Sequence, residues 1–248
     1  MESRGIRRSR NEEEEESYFI SMADMMVGLL FIFIILLLYF ALQMKEKTAE
    51  LTGATATRTM ILRKLETSLK DQGIKVSVDE KAGILRLPED VLFASGADQL
   101  SEKGYVSVAI VARELASVLP CYTYPRPERG CENSKHSIDA IFVEGHTDSD
   151  KMGGRGLIED NLDLSMKRAT NTYRRLTQVE ERLMLMRNAP GDQGQPVLSV
   201  SGYGELRPIA LGDSPEAKQK NRRIDLRFLM VAPQSDEVKV IGAKAGLR

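Results

Sequence analysis

From Met25 to Leu42 the chain has no charged residue, and extending the run back to Ile20 admits only Asp24. At about 1.5 Å per residue, a helix from Tyr18 to Tyr39 spans roughly 31 Å, close to the ~30 Å hydrocarbon thickness of a bilayer. Tyrosines at both ends suit the two interfaces, where an amphipathic ring is most comfortable. The run predicts one transmembrane helix over residues 17–43. A cleaved signal peptide is the competing reading. Such peptides have a shorter apolar core and a small-residue cleavage site, and Leu42 to Glu50 offers no convincing one.

Charge on the flanks sets an expected orientation. Arg4, Arg7, Arg8 and Arg10 crowd the first ten residues, and the acidic run Glu12 to Glu16 follows. Cytoplasmic flanks carry excess Lys and Arg, whereas acidic residues count for little. The N-terminus is therefore expected inside, although Lys45 and Lys47 weaken the contrast. Everything after about residue 43 is then outside, which in a bacterium with two membranes is the periplasm. Residues 1–16 read as a mobile cytoplasmic tail. The formal net charge of −1 gives no reason to expect direct nucleic-acid binding.

The only cysteines, Cys121 and Cys131, bracket CYTYPRPERGC, and the periplasm oxidises thiols. A bridge closing so short a loop contributes on the order of 2–3 kcal/mol in the chain-entropy picture. Two independent buried thiols are the alternative. Zinc ligation is a poor reading, because His136 and His146, the only histidines, have no zinc-type spacing with them.

Residues 44–72 carry Met60, Ile61, Leu65 and Leu69 at helical spacing and read as a linker, stalk or plug helix, with Gly53 and several threonines arguing against continuity. From residue 73 the pattern is that of an α+β domain running to 232. IKVSVDE and GILRLP alternate as a hairpin around Lys81-Ala82-Gly83, Leu100 to Leu119 is an amphipathic helix stopped by Pro120, and SIDAIFVEG is a buried strand. Leu162 to Val179 predicts a helix, PVLSVSGYG a strand and RRIDLRFLMV a closing strand; residues 233–248 read as a flexible tail.

A charged Asp at the centre of a membrane helix costs about 2.5–3.5 kcal/mol even on lenient scales. Ser17, Ser21, Asp24 and Gly28 share one helical face, so the carboxylate points at another protein surface or a narrow wet path, with Ser21 lining it. An acid there can take up and release a proton as water access changes, and a proton crossing the field delivers about 2.3 kcal/mol per 100 mV. A hydrogen bond to a partner helix, or a sodium site using the same oxygen, are the other readings. One helix alone builds no gated path, so partner helices are implied.

The stretch FISMADMMVGLLFIFIILLLYF resembles the single span of the MotB-like stator B subunits, where an Asp soon after an Ala near the helix start carries the transported ion. The match puts that role on Asp24. The outer domain resembles the OmpA-like peptidoglycan-binding family through LFASGADQL, VEGHTDS, NLDLSMKRA, SGYGELRPIA and NRRIDLRF. This resemblance implies a βαβαβ domain with a mixed sheet whose ligand is the diaminopimelate of the wall's stem peptide. It further implies that Asp148 holds the ammonium and Arg168 the carboxylate, while Asn161, Asn221, Arg222 and Arg223 shape the pocket. A surface charge is the alternative for each of these arginines and a loop cap for each asparagine, Asn161 and Arg168 included, and for Asn221 to Arg223 the two readings stand level. Residues Lys151 to Asp160 make the loop before Asn161 longer than the family pattern, and His146, a family-typical position, reads as structural.

The layout implies a homodimer of B chains inside a five-subunit ring of a MotA-like multi-span partner, embedded in membrane lipid and held to peptidoglycan. Within that layout the membrane segment resembles the B subunit of the Zorya anti-phage motor more than the flagellar one. A flagellar stator, or a passive wall anchor with an incidental Asp, are the alternatives. No nucleophile–base set, phosphate loop or metal cluster stands out, so an enzyme is a poor reading and no cofactor is expected.

Overall fold

The computed structural model describes residues 3–94, 96–131, 136–152 and 158–232, with side chains from Tyr18 onward. It divides into two compact units, Met1–Glu50 and Leu51–Arg248.

The first unit is helical throughout its described residues, part of α1 (Ser3–Asp71). The helix thus begins inside the segment expected to be a tail. Every side chain from Tyr18 to Leu42 is exposed, an arrangement that water would penalise by the full hydrophobic cost of each ring and alkyl chain. The segment is long and apolar enough to cross a membrane. A second helix passes the same test of length and composition, but it lies largely within the core of the second unit.

In the second unit α1 continues to Asp71, which corrects two expectations. Gly53 does not break the helix. A Cβ added there would lie 2.5 Å from His136 Nε2, so the glycine admits a close neighbour. Nor does the folded domain begin at residue 73: Ile61, Leu62, Leu65 and Leu69 are all but fully buried in its core. Arg58 Nη2 donates to the carbonyls of Glu80 (3.3 Å) and Lys81 (3.2 Å), and Arg63 Nε donates to Glu80 Oε1 at 2.8 Å, so these turns are bound to the hairpin too. The helix ends where Gly73 takes φ +78° and the Ile74 N–H returns to the Leu69 carbonyl at 2.9 Å, closing the last turn as a C-terminal glycine does.

The strands follow the alternation in the sequence. β1 (Ser77–Asp79) and β2 (Ile84–Pro88) form the hairpin, and β3 (Ile138–His146), β4 (Leu198–Gly202) and β5 (Arg223–Met230) complete a sheet of order β1-β2-β5-β3-β4. β3 and β4 are parallel and joined through α4 (Asn161–Val179), and the other neighbours are antiparallel. The sheet is mixed, as expected. One face carries Leu85, Leu87, Ile141, Val143, Ile224, Leu226 and Phe228 into a single core with the end of α1, α3 (Glu102–Val118) and α4. Pro120 falls in a 3-10 turn, Leu119–Tyr122, that ends α3. Short helices α2 (Glu89–Leu92), α5 (Arg182–Leu185) and α6 (Pro215–Asn221) were not anticipated; so few turns leave too little periodicity to read.

Cys121 and Cys131 form a disulfide. Residues 153–157 of the lengthened loop lie outside the described residues, as does the expected C-terminal tail from 233 on.

Candidate functional site

Sheet register assembles the site. Arg223, the first residue of β5, pairs with Pro88 at the end of β2 and with His146 at the end of β3. Just past that row stand Glu89, Arg222 and the pair Thr147-Asp148. The Glu89 N–H donates to the Arg222 carbonyl at 3.2 Å, which ties α2 to the α6–β5 junction.

α4 supplies the remaining side. Its Asp160 cap accepts from the Asp163 N–H at 2.8 Å, and its first two turns rest on the sheet at Gly145 and Gly202, which face each other across β3 and β4. A Cβ on Gly145 would run into the Ser165 carbonyl, and one on Gly202 would lie 2.6 Å from the Met166 nitrogen. The two glycines therefore set how closely α4 approaches and where Asn161 and Arg168 stand.

Four charged side chains then make one line of contacts. Arg168 Nη2 lies 2.5 Å from Glu89 Oε1, Glu89 Oε2 lies 2.6 Å from Arg222 Nε, and Arg222 Nη1 donates to Asp148 Oδ2 at 2.6 Å. Arg168 is 2% exposed, donates from Nε to the Ala97 carbonyl at 2.7 Å and sits over the Phe93 ring at 5.2 Å. Asp148 also accepts the Asp150 N–H on Oδ1 at 3.1 Å. Burial pushes the Glu89 carboxyl above its ordinary range, even though Arg168 and Arg222 pull it down. Burial likewise lowers Arg168, while Glu89 opposes the shift.

Among the residues singled out from sequence, Asp148, Arg168 and Arg222 come together. Asn161 adjoins them: its Nδ2 donates to the Asp148 carbonyl at 3.3 Å and to the Asp150 carbonyl at 2.9 Å, holding the loop that carries the acid. Asn221 turns away. Its Oδ1 accepts the N–H groups of Ile209 (2.9 Å) and Ala210 (3.0 Å), and its Nδ2 donates to the Ala210 carbonyl at 2.8 Å, so its contacts are those of a loop clamp. Arg223 points into the sheet's polar face, donating to Asp225 Oδ2 at 2.9 Å. Glu89 was missed. Its only sequence signal is an acid directly after a strand-ending proline, and its meaning depends on register.

On the sheet face opposite the core, Glu144, His146 and Asp225 bring potential metal-ligating atoms within 4.8 Å of one another. The two carboxylates are already matched: Arg86 and Arg223 pair with Asp225 at 3.0 and 2.9 Å, and Arg227 with Glu144 at 2.8 Å. Added positive charge would meet three guanidiniums. His146 stacks on Tyr203 with ring centroids 5.4 Å apart, and burial, followed by Arg223, lowers its pKa to about 3. Its contacts fit a structural role.

Asp24 and Ser21 belong to the other unit and are exposed on the apolar helix.

No family model matches the chain. It is 22% identical over 228 residues to the Zorya protein ZorB of Escherichia coli O139:H28, covering 90% of this chain and 85% of that protein. It is 34% identical over 88 residues to the peptidoglycan-associated lipoprotein of Buchnera aphidicola, covering 36% of this chain and 41% of the lipoprotein. Among solved structures, the periplasmic domain of Helicobacter pylori MotB aligns with a TM-score of 0.44 at 23% identity, covering 66% of this chain and 87% of that domain.

Proposed function

We propose that this chain, MotB-like in layout and OmpA-like in its outer domain, is the B subunit of an ion-driven, peptidoglycan-anchored stator-type motor acting in Zorya anti-phage defence. The observation that carries the reading is a pairing within one molecule. Asp24 is the lone carboxylate of the Tyr18–Leu42 stretch of α1, whose side chains are all exposed, and a separate folded unit holds a buried acid and a buried arginine at the two ends of an ion-pair line. The first suits a proton relay in lipid, the second a zwitterionic wall ligand.

In this reading the chain lies in the inner membrane with its N-terminus in the cytoplasm and the outer domain in the periplasm. Two copies stand inside a ring of five multi-span subunits. Asp24 accepts and releases the proton, Ser21 lines its path, and the apolar faces meet lipid and partner helices. Asp148 takes the ammonium and Arg168 the carboxylate of a diaminopimelate stem, with Asn161 fixing the Asp148 loop. The chain's role is mechanical rather than catalytic. Likeness over nearly the whole length to ZorB favours defence over swimming.

The two halves are tested separately. Asp148→Ala with Arg168→Ala should abolish co-sedimentation of the full-length protein with purified peptidoglycan, and retained binding would reject the pocket. Asp24→Asn should remove proton flux through the complex assembled with its multi-span partner; undiminished flux would reject the relay.

A further inference from the structure

Arg168, Glu89, Arg222 and Asp148 alternate in sign along a single line. The ends are a buried cation and a buried anion, and between them an anion and a cation are held in the order of an amino-acid head group, carboxylate toward Arg168 and cation toward Asp148. We propose that the Glu89–Arg222 pair is a built-in stand-in for the zwitterionic head of the wall peptide, and that ligand binds by exchange. The incoming carboxylate takes the place of Glu89 on Arg168, the incoming ammonium takes the place of Arg222 on Asp148, and Glu89 and Arg222 stay paired with each other. This rests on the wall-binding reading and adds how the empty site is held and what it selects.

Three features support exchange. Charge is conserved: every buried ion has a partner before and after, so neither state carries the large penalty of an unpaired buried charge. The end side chains are anchored by further contacts, and that of Arg222 in the middle is not. Arg168 is fixed by the Ala97 carbonyl and the Phe93 ring, and Asp148 by the Asp150 N–H. The Arg222 side chain, by contrast, is 35% exposed. Beside the pair lies a cavity of about 180 Å³ lined by Glu89, Asp90, Phe93, Gln219 and Arg222, which gives it room to turn aside.

The internal pair is also an imperfect occupant. Both Glu89 oxygens and Arg168 Nη2 are buried without a well-aligned hydrogen bond, despite their short separations. A ligand carboxylate, free of the backbone that restrains Glu89, can turn to meet the guanidinium fork in its plane. Exchange also predicts selectivity. A ligand with a carboxylate but no amine leaves Arg222 on Asp148 and gains only one end of the line.

The test is calorimetric titration of the full-length protein in detergent with meso-diaminopimelate, and with pimelate, which lacks both amines. Against the native chain, Glu89→Gln with Arg222→Gln removes the stand-in at no change in net charge. It should bind diaminopimelate at least about tenfold more tightly, with pimelate weak throughout. Binding by the double variant alone, with none by the native chain, also supports the proposal. Equal or weaker binding by the double variant overturns it; if Asp148→Ala with Arg168→Ala still abolishes binding there, the wall reading survives and only the stand-in falls. No binding by either protein overturns the stand-in, and peptidoglycan co-sedimentation then decides the wall reading on its own. Should circular dichroism show the double variant unfolded, Glu89→Gln alone frees Arg168 and should gain about threefold. No gain there overturns the proposal.

Discussion

His146 shows how a single side chain links sequence position to stability. It is packed against Tyr203 and faced by Arg223, Arg86, Arg207, Asp225 and Glu144, and it protonates in the fold only near 3. In the unfolded chain a histidine protonates near its ordinary value of about 6.5. Between those values the unfolded state binds more protons, so stability rises with pH across the window and is lost as pH falls through it. Acidification from about pH 7 to 4 should remove on the order of a few kcal/mol through this residue. His146→Phe keeps an aromatic ring on Tyr203 and removes the titration. Urea midpoints measured against pH should therefore fall less steeply for the variant, and parallel curves would refute the assignment. Glu89 has its pKa moved the other way and is common to both proteins, so comparing the two isolates the histidine.

Among the elements, α1 is where pattern reading and packing part company. The spacing of Ile61, Leu65 and Leu69 is legible as a helix, but whether that stripe faces a second helix, lipid or a sheet is not. Their burial in the core that the sheet shares with α3 and α4 makes the last turns of α1 part of the domain. Burying a large aliphatic side chain contributes about 1.5–3 kcal/mol, so losing Ile61, Leu62, Leu65 and Leu69 together removes an amount comparable with the roughly 5–15 kcal/mol that stabilises a typical domain. A chain cut to begin at residue 73 should show no cooperative thermal transition, whereas one beginning at Leu51 should. A folded fragment from residue 73 would show that these turns are dispensable. Gly53 teaches the same point, since as a letter it argues for a break and in place it makes room for His136.

Across the molecule, the apolar span with its lone Asp24, the alternating strands, α3 and α4, and the pairing-competent cysteines could all be read from the letters, because each depends on a period or composition that a short stretch carries alone. Motif likeness also brought Asp148 and Arg168 into view. Folding in three dimensions was needed to place Glu89 and Arg222 between them, to turn Asn221 into a loop clamp, and to start the domain within α1. Those facts depend on the meeting of Pro88, Arg223 and His146 in one row of the sheet and on α4 settling over Gly145 and Gly202. Contacts between residues far apart in the chain are set by register and packing, which no local pattern encodes.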